Sequence, residues 1–502
     1  MNIRKLLTEQ ARNNPTKGAI FFEDKEINFS ELRDFSFSLA NYLCKAGIKG
    51  NDKVAVFLPN NLEAVYSLLG IFSTGSVAVP LDFMLVEQEI INFINHCQAK
   101  ILITKVKKDI DFSNIKKTCS SLKEIIICGE KLDGFSSWDE ILKEADRDKP
   151  SSEIKESNLS SIFYTSGSTG HPKGVMLNYS HLDNPVRTID YFLSVGEDDV
   201  FLCGGVPFSH FGGLDYLLLM LYFSSKLILL ERFQPFEFLK SIQQYKVSIF
   251  CIVPAMFAAI LSLKEYDKFD LASLRYAVVF GAPSSPALLK RFQKAAPKAG
   301  LSNGWGMTET AAPNCLLTGG IEKIQSIGKF PNWMQAKIVG GQGKTLGPNQ
   351  KGELLVKGEA VMKGYYRELE LTAQVLSEDG WLKTGDIAYY DSQGLFYIVG
   401  RKKDMIKVAG EIVVAAELEQ KINQHPKVKE AAVIGVADNL RGEVPKAFIV
   451  NRDGQSLNEP ELKDFLKDHL AHFKIPHHFE FVKDLPKNRT GKIDKTKLVG
   501  SS

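Results

Sequence analysis

The run Tyr164-Thr-Ser-Gly-Ser-Thr-Gly-His-Pro-Lys-Gly-Val175 concentrates groups suited to holding a polyphosphate. Gly167, Gly170 and Gly174 let backbone N–H groups converge on an anion. The hydroxyls of Thr165, Ser166, Ser168 and Thr169 add donors, and Lys173 supplies a point charge. It is not a Walker A loop. No Gly-Lys-Ser/Thr occurs, and the flanks, Ser161 to Tyr164 and Val175 to Asn178, read as two strands with no strand-to-helix entry. The bland alternative is a solvated Gly/Ser turn, which the density of donors beside a lysine outweighs.

Further motifs follow in order: Asn303-Gly-Trp-Gly-Met-Thr-Glu309, Lys383-Thr-Gly-Asp386, Gly400-Arg-Lys-Lys-Asp-Met-Ile-Lys407 and Asn488-Arg-Thr-Gly-Lys-Ile-Asp494. With the Ser/Thr/Gly loop, these resemble the signature elements of the acyl-adenylate-forming superfamily, which contains acyl-CoA synthetases, peptide-synthetase adenylation domains and luciferases. The resemblance covers essentially the whole chain. It implies activation of a carboxylate by ATP, in which a carboxylate oxygen must approach the α-phosphate. The two anions repel, so cations must sit on both and on the departing pyrophosphate.

By this resemblance Lys173 and Lys492 are the catalytic cations, and Lys492 bridges the substrate carboxylate and the α-phosphate. Glu309 ligates Mg²⁺, for which a carboxylate is a suitable hard donor, and Thr308 lies beside the phosphates. Trp305 takes the position where the family usually has Tyr, so its ring would stack on adenine, with Gly306 next to it at the nucleotide and acyl sites. The backbone of Gly281, Ala282 and Pro283 would line the adenine pocket. Asp386 would accept from the ribose hydroxyls and Arg401 would donate to them. His210, in Pro207-Phe-Ser-His-Phe-Gly-Gly213, resembles a histidine that flanks the acyl pocket. No acid occupies Phe208 to Gly213, which disfavours an α-amino acid substrate. Lys403 matches the pivot of an interdomain hinge, and Lys407 and Gly410 match the loop that lines the thiol tunnel. Ala409, Ile412 and Ala415 depart from the Gly, Asn and Pro of many CoA ligases in that loop. The histidines His469, His472, His477 and His478 are assigned no role.

The elements that must position these residues are legible from periodicity. Helical spacing from Leu32 to Gly47 is followed by a strand over Asp52 to Pro59, a helix over Leu62 to Phe72 and a short strand over Ser76 to Val79. Strand-like runs recur at Lys100 to Ile103, Glu124 to Cys128, Lys226 to Leu230, Ser248 to Val253 and Tyr276 to Phe280. This alternation predicts an α/β fold with parallel-rich sheets and covering helices. From about Ala336 short runs punctuated by Gly and Pro predict a small antiparallel unit. After Arg401 two helical patterns, Ala415 to Gln424 and Glu459 to His472, accompany strands at Val428 to Val436 and Lys446 to Val450, enough for a small mobile α+β lobe. The expected division is an N-terminal AMP-binding domain over 1–399, a hinge over 400–403 and a C-terminal domain over 404–502.

Composition narrows the function classes. The chain has 502 residues, too many for one small module, and its 44% hydrophobic content excludes global disorder. Lys+Arg number 62 against 59 Asp+Glu, a formal charge of +3 that is too balanced for a nucleic-acid-binding field. The 7 cysteines are scattered without a CxxC pair, which predicts reduced thiols in a cytoplasmic compartment, with neither disulfides nor a zinc site. The N-terminus reads as an amphipathic helix without a signal-peptide core, and Leu217 to Phe223, closely preceded by Asp215, is too short to span a bilayer and reads as a buried helix. Peripheral membrane contact and oligomeric state stay open. The expected activity is that of an acid–thiol ligase: a fatty or aryl carboxylate plus MgATP gives acyl-AMP and pyrophosphate, and the thiol of coenzyme A then displaces AMP. Transfer to the pantetheine thiol of an acyl carrier protein is the alternative acceptor, and a non-catalytic acyl or nucleotide sensor is the alternative from another class.

Overall fold

The computed structural model describes residues 1–165, 173–281, 286–318, 321–408, 411–438, 440–487 and 493–499. A large N-terminal domain is built on two sheets dominated by parallel strands. The first is seven-stranded and carries Lys53–Phe57 and Ile101–Lys105 in its interior, with the antiparallel pair Leu159–Thr165 and Lys173–Asn178 closing one edge. The second is eight-stranded. Its centre runs Gly300–Trp305, Tyr276–Val279, Ile249–Ile252, Val200–Gly204, Lys226–Leu230 in parallel register. Tyr276–Val279, Ile249–Ile252 and Lys226–Leu230 are near-continuous apolar runs, as strands covered by helices on both faces are.

The covering helices form for local reasons. Phe29–Lys45 starts at a capping box between Asn28 and Glu31, and Leu62–Thr74 starts at Asn61 and stops at left-handed Gly75. Phe211–Phe223 is apolar almost all round, and the sequence places it in the interior; ten of its residues from Phe211 to Leu221 are buried. Among the described residues no helix is long and apolar enough to cross a membrane.

The small antiparallel unit is a four-stranded sheet of Met334–Val339, Gly352–Gly358, Leu382–Tyr390 and Phe396–Arg401. Leu382–Tyr390 lacks a strand signature at its start, where Lys-Thr-Gly-Asp is polar, and it is held by pairing on both sides. A 3₁₀ turn at Lys402–Asp404 follows. Met405–Val408 then enters the five-stranded sheet of a small C-terminal domain, with Glu411–Val414, Gly442–Asn451, Val428–Asp438 and His478–Val482.

Two expectations are corrected. The helix read over Glu459 to His472 ends at Lys467, where Asp468 caps it and the His469 ring bonds the Phe465 carbonyl at 2.7 Å. The N-terminal hairpin Gly18–Phe22 and Lys25–Asn28, which was not read as strands, joins the eight-stranded sheet by pairing with Lys226–Leu230. All seven cysteines are free.

Candidate active site

Three sheets meet at the candidate site. In the eight-stranded sheet, Gly281 and Trp305 lie at the carboxyl ends of neighbouring parallel strands, in the register Val279 to Asn303. His210 caps helix Phe211–Phe223 beyond the carboxyl end of Val200–Gly204. Ligands of open α/β sheets bind at such ends. Gly281 has φ +87, which favours glycine. A Cβ on Gly306 would come within 2.5 Å of the Ala312 Cβ, so this close approach also requires glycine.

The seven-stranded sheet brings in the phosphate-loop flanks, with Thr165 paired to Lys173 across the hairpin. The four-stranded sheet brings in Asp386 and Arg401, which face each other in register. Trp305 donates its indole N–H to Asp386 Oδ2 at 2.8 Å, and Arg401 Nε reaches Asp386 Oδ1, also at 2.8 Å. Asp386 is buried, whereas the Arg401 side chain is 45% exposed and so can still turn toward a ligand. Thr384 supports the pair: its hydroxyl accepts the Asp386 N–H at 3.0 Å, and its carbonyl accepts from Arg401 Nη1 at 3.2 Å.

Glu309 lies in a 3₁₀ turn, Thr308–Thr310, directly after Trp305, Gly306 and Met307. Its carboxylate is buried and accepts the Tyr365 hydroxyl at 3.0 Å. Burial pushes its pKa up, against the Tyr365 hydrogen bond and the positive charges of Arg401 and Lys173. Lys173 Nζ stands 5.3 Å from the Tyr365 ring centroid. Tyr365 thus joins the phosphate-loop lysine to the buried carboxylate. Its own segment is laid in place by the backbone, since Val175 bridges Tyr365, Met176 N–H donates to the Gly364 carbonyl, and Met362 N–H donates to the Glu309 carbonyl.

Lys173, Glu309, Trp305, Asp386 and Arg401 therefore form one connected group, with Thr165, Thr308 and Gly306 beside them in the same elements. Gly281 and His210 share the sheet's carboxyl rim. Lys403 lies in the exposed turn after Arg401, and Lys407 is exposed on Met405–Val408, its N–H donating to Glu443 Oε2 at 2.8 Å. Ser166, Gly167, Ser168, Thr169, Gly170, Ala282, Pro283, Gly410 and Lys492 lie outside the described residues. Tyr365, Thr384 and His181 were missed by sequence reasoning. The only available signal for Tyr365 was the aromatic pair after Gly364.

His181 ties this assembly together. Its Nδ1 accepts the Asn178 N–H at 2.7 Å and its Nε2 lies 3.0 Å from the Val361 carbonyl, so the neutral ring carries its proton on Nε2. Burial pushes its pKa down to about 4, from 6.5. Between those values the unfolded chain binds the extra proton and the folded chain does not, so stability rises with pH across this window and is lost as pH falls through it. The full contribution is roughly 3 kcal/mol at about 1.4 kcal/mol per pH step. Urea titrations from pH 4 to 7 should show this slope in the wild type and a flatter one in His181→Gln. Equal slopes would remove His181 as the source.

The chain matches the family model described as AMP-binding enzyme over residues 7–366 and the AMP-binding enzyme C-terminal domain over residues 417–492. It belongs to the AMP-binding enzyme family, within the acyl-adenylate-forming superfamily. Its enzyme class is that of an AMP-forming acid–thiol ligase. Similar curated proteins include luciferin 4-monooxygenase of Photinus pyralis, 32% identical with 96% of this chain and 90% of that protein covered. A long-chain-fatty-acid–CoA ligase of Bacillus subtilis (strain 168) is 31% identical, with 99% and 94% covered. Among solved structures, an anthranilate CoA ligase in complex with anthranoyl-AMP superposes with a TM-score of 0.91 at 27% identity, covering 100% of this chain and 97% of that one.

Proposed function

We propose that this protein activates a fatty or aryl carboxylic acid with ATP to an acyl-adenylate, releasing pyrophosphate, and then transfers the acyl group to the thiol of coenzyme A with release of AMP. The observation that carries this reading is the connected group of Lys173, Tyr365, Glu309, Arg401, Asp386 and Trp305, in which cations, a buried carboxylate and a sugar-binding pair converge from three sheets. Lys173 holds the phosphates and Arg401 turns from Asp386 to the ribose. Asp386 keeps the acceptor oxygens oriented because Trp305 and Thr384 fix it. Trp305 and Gly281 take the adenine and Thr165 a phosphate; Ala282 and Pro283 are assigned to the same adenine, and Ser166, Gly167, Ser168, Thr169 and Gly170 to the same phosphates, from the sequence motifs alone. His210 and Gly306 border the acyl group.

Glu309 suits a magnesium ion. It is a buried carboxylate whose charged form burial disfavours, and a divalent cation there restores that form. When bound, Mg²⁺ supplies neutralisation of the phosphate charge. Glu309→Gln keeps the shape and loses the charge, so it should raise the magnesium concentration needed for half-maximal pyrophosphate release by about 10-fold or more, while metal-free nucleotide binding changes little. An unchanged magnesium titration would remove Glu309 from the metal site.

The domain limits proposed are 1–399 and 404–502, with residues 400–403 as a hinge about which the C-terminal domain reorients. Lys407 and Gly410 then line the thiol path. The free cysteines support a reducing, cytoplasmic setting. Pyrophosphate release measured across fatty and aryl carboxylates, with and without coenzyme A or a phosphopantetheinylated carrier protein, tests the reading. Release with at least one acid, followed by thioester on coenzyme A, is the expected result. No release with any acid would overturn adenylation, and thioester only on the carrier protein would replace the acceptor.

A further inference from the structure

We infer that Asn60 is a positioning residue for the acyl side of the site: from the rim of the seven-stranded sheet, its side-chain amide fixes the segment that carries His210. This rests on the adenylation reading above, which puts His210 beside the acyl group.

Asn60 lies just past the carboxyl end of strand Lys53–Phe57, next to Asn61, whose side chain accepts the Ala64 N–H at 2.8 Å and caps helix Leu62–Thr74. It is thus held between a strand of the seven-stranded sheet and the helix that follows. Its amide bonds to the other sheet. Nδ2 donates to the Val206 carbonyl at 2.8 Å and Oδ1 accepts the Phe208 N–H at 3.0 Å. Nδ2 also lies 3.8 Å from the Cys203 sulfur, on strand Val200–Gly204. Asn60 is 3% exposed. A buried amide is costly unless both of its ends are paired, and here both pair with the backbone of one short segment. A leucine would fill the same space, yet it would leave the Val206 carbonyl and the Phe208 N–H unpaired.

The two bonds bracket Pro207. The Pro207 carbonyl accepts the His210 N–H at 2.9 Å, and the His210 carbonyl in turn accepts the Gly213 N–H at 2.9 Å at the start of helix Phe211–Phe223. A Cβ on Gly213 would collide with the Pro207 carbonyl and the Phe208 nitrogen, so the helix start packs directly onto this segment. A shift of Val206 to Phe208 is therefore passed to His210. The seven-stranded sheet also carries the flanks of the phosphate loop, Leu159–Thr165 and Lys173–Asn178. Asn60 thus sets the acyl side against the phosphate side, and the approach of a carboxylate to the α-phosphate depends on that alignment.

Pyrophosphate release is measured with fatty acids from octanoate to palmitate and with benzoate and para-hydroxycinnamate, and the acid of lowest KM carries the test. Asn60→Ala should raise KM for that acid by about 10- to 100-fold, the scale of misplacing a group at the reacting centre, while KM for ATP changes by less than about 2-fold. A merely structural loss lowers the folded fraction and leaves both KM values in place. In a His210→Ala background, Asn60→Ala should cost less than about 3-fold more, because the residue through which Asn60 acts is already gone. Asn60→Asp serves if the alanine variant fails to fold. Its protonated carboxyl keeps the shape of the amide and donates to the Val206 carbonyl, whereas the ionised form has no proton to give. The adjacent Cys203 thiol stays neutral, since burial pushes its pKa up to about 12. KM for the acid in Asn60→Asp, relative to wild type at the same pH, should therefore fall by at least about 5-fold from pH 8.5 to pH 6. An unchanged KM for the acid, an equal rise in KM for ATP, full additivity with His210→Ala or a flat Asn60→Asp ratio would overturn the inference and leave adenylation intact. Absence of pyrophosphate release with every acid would instead overturn the adenylation reading itself.

Discussion

Replacing Lys492 by alanine is expected to slow acyl-AMP formation by at least about 10²- to 10³-fold, the cost typical of losing one preorganised charge donor at a reacting centre. Lys173 and Arg401 cannot substitute. The first stands over Tyr365 beside Glu309, and the second is engaged with Asp386 and the Thr384 carbonyl, and the proposed function assigns them to the phosphate and sugar ends of the nucleotide. The carboxylate then meets the α-phosphate without a shared cation. Thioester formation from supplied acyl-AMP should survive, because the adenylate already exists. Single-turnover assays of each half-reaction make the comparison, and an equal fall in both would show that Lys492 is not specific to adenylation.

The second large effect is expected at the proposed hinge. Lys403 is the middle residue of the exposed turn Lys402–Asp404, between the last strand of the four-stranded sheet and the first strand of the C-terminal domain. Proline fixes φ near −65°, removes an N–H and restricts the residue before it, so Lys403→Pro denies both Lys402 and Lys403 the dihedral changes that reorientation of the domain requires. Adenylation should persist and thioester formation should fall by at least about 10-fold relative to it. If Lys403 is only a solvated member of the basic run Arg401 to Lys403, the variant loses some stability and the ratio of the two half-reactions stays constant. Acyl-AMP accumulation and thioester release, measured on one preparation, separate these outcomes.

Much of this protein is written locally in its sequence. Glu124–Cys128 and Lys226–Leu230 have the bounds read from their apolar runs, because a strand buried on both faces is a short continuous hydrophobic segment between polar breaks. Glu309, Asp386 and Arg401, which the structure brings together, stand out along the chain because each lies in a compact motif, whereas most of the phosphate loop and Lys492 lie outside the described residues. Leu382–Tyr390 was not legible as a strand, since its polar start is held by neighbours on both sides and not by its own pattern.

Only the tertiary structure decided how these motifs meet. The Trp305 indole donates to Asp386 across a separation of 81 residues, and Tyr365 reaches Glu309 across 56. Asp215 reads along the chain as a polar interruption before a buried helix. In the structure it lies inside the helix, which seats on Ile249–Ile252 through Tyr216, and its Oδ1 is without a partner among the described residues. Periodicity reports which face of an element is buried. It carries no information on which distant element covers that face, and the pairing of buried polar groups depends on that second fact.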